Sequence, residues 1–355
     1  MRIWLISLSF IIIPNLYAQD DSLNILLKDF KPVSIYKTPQ TIIKKAAFAV
    51  IDMHSHPYAK SIKDLDLWVE NMDAAGIEKS IVMTYAHGPR FDSLVNVYSK
   101  YKDRFELWCG FDYTHYESPD FAQKAILELD RCYNLGARGV GELGDKGKGL
   151  FYSKPEAWGM HPDDDRMIPL FTRCAELNIP INIHVADPIW MYEKMDATND
   201  GLMNAFTWRL DNQDGIVDHA GMIQILDNTL KKNPKTTFVA CHLANCSYDL
   251  SLVGELLDRH SNFFIDISAR FSEIAPTPRT TKAFMIKYQD RIVYGTDMGF
   301  DLSMYHTTFR ILESADEHFY DHNLFTYHWA LNGLDLPKDV LKKIYYTNAS
   351  NILSK

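Results

Sequence analysis

Two histidines stand two residues apart where the first strongly apolar run of the chain ends. The run, residues 48–53 (FAVIDM), leads directly into His54-Ser55-His56. If the run is a β-strand, its side chains alternate between two faces, and His54 and His56 share one of them. Two imidazoles placed in this way can hold one metal ion. An HxH pair alone is a weak signal, so its meaning depends on the other ligands that the chain supplies.

Further ligand-type residues follow four later apolar runs, each at the carboxyl end of its run. They are Glu142 in GELG, His184 in INIHVA, His242 in VACHLAN and Asp297 in YGTDM. Imidazole and carboxylate groups suit Zn²⁺ and similar divalent cations. Burying all of them together without a metal would leave charge and polar atoms unsatisfied. We therefore predict a divalent metal site, with Zn²⁺ as the default, that holds one ion or two.

These residues can meet only if the apolar runs form one sheet whose strand ends converge. Eight runs rich in β-branched or aromatic residues alternate with helix-like stretches, which is typical of parallel βαβ units. Eight such units predict an α/β fold, the (β/α)8 TIM barrel, whose active site lies at the carboxyl ends of its strands. A doubly wound open sheet is the alternative, but no GxGxxG follows the first run. The runs cover residues 48–53, 79–84, 105–111, 137–143, 181–185, 236–241, 262–267 and 291–294.

Two connections are longer than a bare barrel needs. Residues 145–162 follow the fourth run, and residues 187–220 follow the fifth. Long loops after barrel strands lie over the catalytic face, so we expect both to form walls or a lid of the substrate pocket. Their apolar residues would serve a dimer interface equally well, and a homodimer stays open.

The motifs IDMHSH, GVGELG, INIHVA, FVACHLAN and VYGTDM, in this order, resemble the amidohydrolase superfamily. Within it the chain is similar to the amidohydrolase-2 branch of metal-dependent enzymes, which includes enzymes like aminocarboxymuconate-semialdehyde decarboxylase. The resemblance runs from about residue 49 to the end, and residues 336–353 look like the closing helices of that branch. It implies a metal-dependent barrel without indicating the substrate.

The resemblance implies a role for each ligand-type residue. His54 and His56 would bind the first metal, together with His184 from the fifth strand. Asp297 would be a further ligand of that metal and would also handle the proton of a metal-bound water. Asp297 is thus expected both as a ligand and as a catalytic residue.

Two positions are ambiguous within the resemblance. His242 would either bind a second metal or polarise the substrate as a general acid. Glu142 stands where many relatives carry a carbamylated Lys, and it is similar to the bridging Glu of TatD-like relatives. Glu142 would therefore bridge two metals, or would orient a ligand or the substrate around a single metal.

These roles predict a hydrolase that activates a metal-bound water to cleave an amide, lactone or ester bond of a small molecule. A metal-dependent non-oxidative decarboxylase on the same scaffold is the alternative. A TatD-like nuclease is disfavoured because 37 Lys and Arg against 46 Asp and Glu give a net charge of −9, and phosphate binding depends on basic residues. A non-catalytic binding protein is disfavoured because ligand-type residues are intact at all five strand ends.

Four other residues are candidates for substrate contacts. Arg270 follows the seventh run, and an arginine can form a bidentate pair with a substrate carboxylate. A salt bridge to a loop carboxylate would explain Arg270 equally well. His87 follows the second run and would line the mouth of the barrel. Trp158 and Trp190 lie in the two long loops, where they would stack on a planar substrate or pack the loops themselves.

The first 18 residues (MRIWLISLSFIIIPNLYA) predict a secretory signal peptide. Arg2 precedes an apolar stretch of 11 residues, 3–13, which is too short for a spanning helix of about 20 residues. We expect cleavage after Ala18, export to the periplasm or the exterior, and no stable membrane anchor afterwards. Residues 19–47 would then form a lead-in segment, and residues 48–355 a single barrel domain.

The composition is that of an ordinary globular protein, with 46% hydrophobic and 23% charged residues. Its 355 residues are enough to bury a large core, so disulfides are not needed for stability. The five cysteines are odd in number and match no zinc spacing. We expect them to be buried free thiols even in an exported protein.

Overall fold

All eight predicted runs form strands in the computed structural model, which describes residues 24–354. A short antiparallel hairpin, which the sequence analysis did not predict, lies in the long loop after the fourth barrel strand. In chain order the strands are β1 (Val50–Ser55), β2 (Ile77–Met83), β3 (Phe105–Trp108), β4 (Val140–Asp145), the hairpin strands β5 (Gly149–Leu150) and β6 (Ala157–Trp158), β7 (Ile181–Val185), β8 (Phe238–Ala240), β9 (Phe263–Asp266) and β10 (Ile292–Val293).

The parallel strands close into a barrel at two seams. One group of paired strands is β1–β2–β3 and the other is β4–β7–β8–β9–β10. At the first seam the Cys109 amide donates to Gly139 O over 3.0 Å. At the second seam the Met53 amide donates to Tyr294 O and the Asp297 amide to His54 O, each over 2.9 Å. The eight parallel strands therefore form the predicted (β/α)8 barrel.

Helices cover the outside of the barrel, where the sequence predicts helix-like stretches between the apolar runs. Side-chain caps fix several starts; for example, the Ser61 hydroxyl accepts from the Asp64 amide at the start of α1. The helices are α1 (Ile62–Ala75), α2 (Gly88–Tyr98), α3 (Phe121–Asn134), α4 (Ile168–Glu176), α5 (Leu202–Trp208), α6 (His219–Lys232), α7 (Leu250–Arg259), α8 (Phe271–Ile274), α9 (Pro278–Lys287), α10 (Leu302–Glu313), α11 (Lys338–Lys342) and α12 (Asn348–Leu353).

Apolar side chains fill the barrel on both sides of its wall. Inside, Met53, Met83 and Trp108 pack with residues of the other strands, and Ile352 of α12 closes the amino-terminal end. Because a Cβ at Gly139 would lie 2.2 Å from the Trp108 ring, only glycine fits beside this tryptophan. The filled lower half leaves the carboxyl ends of the strands as the open face.

The segment before the barrel lies against its carboxyl-terminal part. Residues 25–47 are irregular apart from a 3₁₀ turn at Leu27–Asp29. Thr41 donates its amide and its hydroxyl to Asp316, each over 2.7 Å, and His322 Nε2 donates to Pro32 O. The predicted signal peptide lies outside the described residues, and the proposed domain boundaries stay a prediction.

The cysteines and the lengths of the helices agree with the sequence over the described residues. All five cysteines are buried and free, as predicted. Among residues 24–354, no helix is both long enough and apolar enough to cross a membrane.

A buried carboxylate reinforces the second seam of the barrel. Asp52 accepts from the His54 amide over 3.1 Å, and from the Thr296 amide and hydroxyl over 3.0 and 2.7 Å. We expect Thr296→Val to lower the free energy of unfolding by about 1–3 kcal/mol, because Asp52 loses a donor where water cannot replace it. Urea unfolding measures the change. Thr280→Val, at an exposed site on α9, should stay within about 0.5 kcal/mol; equal losses in the two variants would contradict the argument.

Candidate active site

A cavity of about 410 Å³ opens at the carboxyl ends of the barrel strands. Its floor contains five of the six predicted metal-site residues, and His54, the sixth, is fully buried beneath them. The five are His56, Glu142, His184, His242 and Asp297. The strand-end residues that the sequence singled out are therefore brought together.

Strand ends and strained turns set the direction of these side chains. His242 and Asp297 lie shortly after β8 and β10, and both have the left-handed conformation, with φ of 61° and 52°. This conformation costs a non-glycine residue roughly 1–2 kcal/mol, so each turn needs support. Asp266 Oδ1 accepts from the His242 amide over 2.8 Å, and His54 O accepts from the Asp297 amide over 2.9 Å. These bonds keep both strained residues facing the cavity.

Two of the imidazoles are anchored from behind by backbone carbonyls. His56 Nδ1 donates to Met83 O over 3.0 Å, and His242 Nδ1 donates to Ser268 O over 2.8 Å. Since a carbonyl only accepts, each Nδ1 carries the ring proton and each Nε2 presents a lone pair to the cavity. This outer anchoring is typical of histidines that bind metals.

His54 is anchored by a carboxylate instead. Its Nδ1 lies 2.9 Å from Asp266 Oδ2. Its Nε2 is fully buried and has no hydrogen-bond partner within residues 24–354. That nitrogen lies 3.9 Å from both Glu142 Oε2 and Asp297 Oδ1. An orphaned ring nitrogen facing two carboxylates is the position that a cation would satisfy.

The two oxygens of Glu142 face different pairs of imidazoles. Oε2 lies 3.9 Å from His54 Nε2 and 3.5 Å from His56 Nε2. Oε1 lies 3.8 Å from His242 Nε2 and makes a short contact with His184 Nδ1. His184 and His242 thus lie nearer one oxygen of Glu142, and His54 and His56 lie nearer the other, while the His54 and His242 rings are 4.9 Å apart. Glu142 would therefore be able to hold a divalent cation with either oxygen, together with the imidazoles nearest to that oxygen.

Asp297 spans the same two sides of the site. Its Oδ1 lies 3.0 Å from His56 Nε2, and its Oδ2 lies 3.7 Å from His242 Nε2. The Tyr58 hydroxyl donates to Oδ1 over 3.2 Å. Asp297 therefore combines contact with the ligand-type residues and access to the cavity, as a ligand that also moves protons would.

Burial and mutual attraction set the charges of the site. Burial raises the pKa of Glu142 and of Asp297, but the neighbouring imidazoles outweigh it and hold both pKa values below their usual range. Burial lowers the pKa of His54, but Asp266 and Asp297 outweigh it and raise that pKa to about 10. The carboxylates around His54 thus stabilise positive charge at its ring. A divalent cation can provide that charge in place of a proton.

His242 is held in the neutral form. Burial, with the positive field of Arg270 and of the other imidazoles, lowers the pKa of His242 to about 3. A neutral ring whose Nδ1 proton goes to a carbonyl can offer only a lone pair at Nε2. The geometry favours His242 as a ligand; its alternative role as a general acid stays a prediction.

The donor set, the orphaned nitrogen and the facing lone pairs together fit one or two divalent cations.

Three neighbours of the site were not predicted from the sequence. Cys241 Sγ lies in one group with His54, Glu142 and His242 and donates to Asn182 Oδ1 over 2.7 Å. Asp266 and Tyr58 anchor His54 and Asp297. A carboxylate inside the apolar run 262–267 was the available signal for Asp266.

Arg270 lines the cavity but already has partners. Its guanidinium donates to Asn245 Oδ1 and Ala269 O, and its Nε lies 3.4 Å from Glu273 Oε2. The predicted alternative for Arg270, a salt bridge to a loop carboxylate, is therefore present. A substrate carboxylate would have to share Arg270 with Glu273.

The other three predicted substrate residues lie outside the cavity lining of the described chain. His87 Nε2 donates to Lys154 O over 2.8 Å. Trp158 is half exposed and stacks on Phe151 at 6.2 Å. Trp190 is buried and borders a neighbouring cleft. The two long loops do wall the cavity, but through Lys146, Tyr152, Asp187, Met191, Asn204 and Trp208.

A protein-family comparison agrees with these motifs and this geometry. The model of the family described as amidohydrolase (Amidohydro_2) matches residues 117–354, more than half of the chain. The chain belongs to the amidohydrolase family. This family is metal-dependent, and in this amidohydrolase the buried group of His54, Glu142, Cys241 and His242 has the spacing to hold a metal ion. Comparison with curated proteins finds no significant match.

Solved structures share the barrel of this amidohydrolase at low sequence identity. The 2,6-dihydroxybenzoate decarboxylase from Rhizobium is 16% identical with a TM-score of 0.56, over 86% of this chain and 99% of that one. A dihydroxybenzoic acid decarboxylase from Polaromonas, with bound manganese and 2-nitroresorcinol, is 15% identical with a TM-score of 0.55, over 86% and 97%. A putative amidohydrolase from Staphylococcus aureus is 16% identical with a TM-score of 0.56, over 87% and 100%.

Because each oxygen of Glu142 contacts a different pair of imidazoles, replacing Glu142 should change the metal content of the protein. We expect protein purified without chelator to hold about two divalent cations per chain, and Glu142→Gln to hold about one or fewer, because the shared ligand loses its charge. Elemental analysis against protein concentration measures the content. Glu255→Gln, at an exposed position on α7, is the matched control. Unchanged metal content in Glu142→Gln would rule out the bridging arrangement.

Proposed function

We propose that the protein is a metal-dependent hydrolase that cleaves an amide, lactone or ester bond of a small molecule. The observation that carries this proposal is the position of Glu142, whose two oxygens face separate imidazole pairs. Such a site suits two cations, and paired cations are typical of hydrolytic centres that orient a nucleophile and an electrophile together. The cavity of about 410 Å³ has the size of a small-molecule site.

The residues of the site would have different roles in hydrolysis. When bound, the cations would supply Lewis acidity and lower the pKa of a water toward about 7. Asp297 is ionised and lines the cavity, so it would accept the proton of the attacking water and pass it to the leaving group. Tyr58 would hold Asp297 Oδ1 in place during both transfers.

The cation itself is part of the proposal. Zn²⁺ is favoured because four of the six ligand-type side chains are imidazoles. The manganese in the Polaromonas decarboxylase makes Mn²⁺ the alternative. The elemental analysis described above distinguishes the two.

Non-oxidative decarboxylation is the second candidate, and the fold comparisons favour it more than hydrolysis. Both neighbours from Rhizobium and Polaromonas are named as decarboxylases of hydroxylated benzoates. Two basic residues, Lys146 and Arg270, line the cavity and could hold a substrate carboxylate. Each of them already has an acidic partner, however: Lys146 Nζ lies 2.9 Å from Asp187 Oδ2, and Arg270 contacts Glu273. For that reason the geometry keeps hydrolysis first.

The two candidates differ in their products. A panel of lactones, aryl esters and amides is offered to the metal-loaded protein beside a panel of hydroxybenzoates, with release of acid or amine and release of carbon dioxide measured in parallel. Turnover of the first panel, with no carbon dioxide, supports the proposal. Carbon dioxide release from the second panel alone would replace it by decarboxylation.

Substitution of Asp297 is the most direct test of the proposed mechanism. We expect Asp297→Asn to lower kcat by about 10²–10⁴-fold with a smaller effect on KM, because the amide cannot accept the proton. Steady-state kinetics on the best substrate of the panel measures both constants, with metal content determined on the same sample. Asp301→Asn, at an exposed position before α10, should leave both constants unchanged. Full activity in Asp297→Asn at normal metal content would remove Asp297 from the mechanism.

We also propose that the protein is exported, on the strength of the amino-terminal 18 residues. Expression of the full chain in a bacterium with a periplasm should yield a periplasmic protein that begins at Gln19, as determined by amino-terminal sequencing. Replacing residues 3–13 by a polar sequence should retain the chain in the cytoplasm. A periplasmic product that keeps Met1 would contradict cleavage.

A further inference from the structure

A second cleft lies beside the catalytic cavity and has a different chemical character. The side cleft, defined by Trp190, Glu193, Asp200, Tyr248, Glu273 and Trp329, has a volume of about 420 Å³. It lies between the long loop after β7, the start of α7 and the segment from α8 to α9. Its size is that of a small-molecule site.

A wall of paired side chains separates the side cleft from the catalytic cavity. Glu273 borders the cleft, and Arg270, with its Nε 3.4 Å from Glu273 Oε2, lines the cavity. Tyr327 lines the cavity and stacks at 4.3 Å on Trp329, which lines the cleft. A ligand in the side cleft would therefore bind without entering the catalytic site.

Aromatic rings form much of the cleft surface. The rings of Trp190 and Trp329 meet edge to face at 5.6 Å and 84°. Tyr248 is half exposed at the opening. Because two aromatic rings at right angles present one face and one edge, they form a corner that suits a rounded apolar group.

All the formal charges of the cleft lining are negative. Glu193, Asp200 and Glu273 contribute three carboxylates, and within the described chain no Lys, Arg or His lines the cleft. Trp329 Nε1 donates to Asp200 Oδ1 over 3.1 Å, which ties one carboxylate to the aromatic wall. Asp200 also lies 3.6 Å from His328 Nε2.

The buried carboxylate of the cleft is already satisfied within the protein. Glu273 accepts from the Ser247 hydroxyl and, over 2.9 Å, from the Tyr327 hydroxyl, besides facing Arg270. Glu193 and Asp200 are exposed and remain the groups that a ligand can neutralise. Their charge repels anions and favours cations.

We propose that the side cleft binds an organic cation, an alkylated amine whose apolar groups contact Trp190 and Trp329 and whose charge faces Glu193 and Asp200. Aromatic faces attract ammonium groups, and a quaternary or alkylated ammonium loses less hydration than a metal cation on entering such a corner. The cleft is independent of the proposed reaction, so its ligand is a second ligand of the protein.

Choline and its neutral isostere 3,3-dimethyl-1-butanol test this proposal on the full, metal-loaded protein. We expect saturable binding of choline by calorimetry or ligand-observed NMR. Binding of the isostere should be at least about tenfold weaker, because only the charge differs. Glu193→Gln and Trp329→Leu should each weaken choline binding by about fivefold or more. Glu193 is exposed, so its substitution tests the charge without disturbing the fold.

Trp208→Leu is the matched control for the aromatic variant. Trp208 is an exposed tryptophan that lines the catalytic cavity and not the side cleft. Choline affinity should be unchanged in this variant. Absence of saturable choline binding up to about 50 mM, equal binding of the isostere, or a loss in Trp208→Leu with none in Glu193→Gln would each overturn the proposal.

Discussion

A buried carboxylate enclosed by imidazole nitrogens is stable only if positive charge lies among them. Glu142 is in this position, and the arrangement of the carboxyl face of the barrel follows from it. The outer nitrogens of the surrounding rings are tied to backbone or carboxylate acceptors, so the rings cannot turn away. Protonation of His54 can balance the charge only in part, because it leaves a buried N–H without a partner. Divalent cations satisfy the carboxylates and the ring nitrogens at once.

The two sides of the site are joined through β9. Asp266 contacts the His54 ring with one oxygen and the His242 amide with the other. Ser268, two residues later, accepts at its carbonyl from His242 Nδ1. One strand therefore sets the orientation of a histidine from each pair, and the distance between the pairs depends on the closure of the barrel. For this reason the seam bonds around Asp52 and Thr296 belong to the active site as much as to the fold.

The barrel and its ligand-type residues could be predicted because they follow from local patterns. Apolar runs buried on both faces identify parallel strands, and polar residues at their carboxyl ends have only one place to meet. The β5–β6 hairpin could not be predicted, since two-residue strands show no periodicity. The positions of Trp158 and Trp190 depend on how the two long loops pack. The spacing of residues along the sequence does not determine that packing. The split of Glu142 depends on side-chain rotamers, and rotamers follow from packing.

Left-handed residues follow five of the barrel strands, at Tyr85, Ala186, His242, Ala269 and Asp297. The strained backbone at His242 and Asp297 places functional side chains in the cavity, and the Tyr85 hydroxyl contacts His56. Ala186 and Ala269 bring none. Glycine adopts this conformation without the steric penalty, at the expense of a more flexible unfolded chain. The mouth of this barrel thus offers two positions, Ala186 and Ala269, where glycine would relieve backbone strain and leave every reactive group in place.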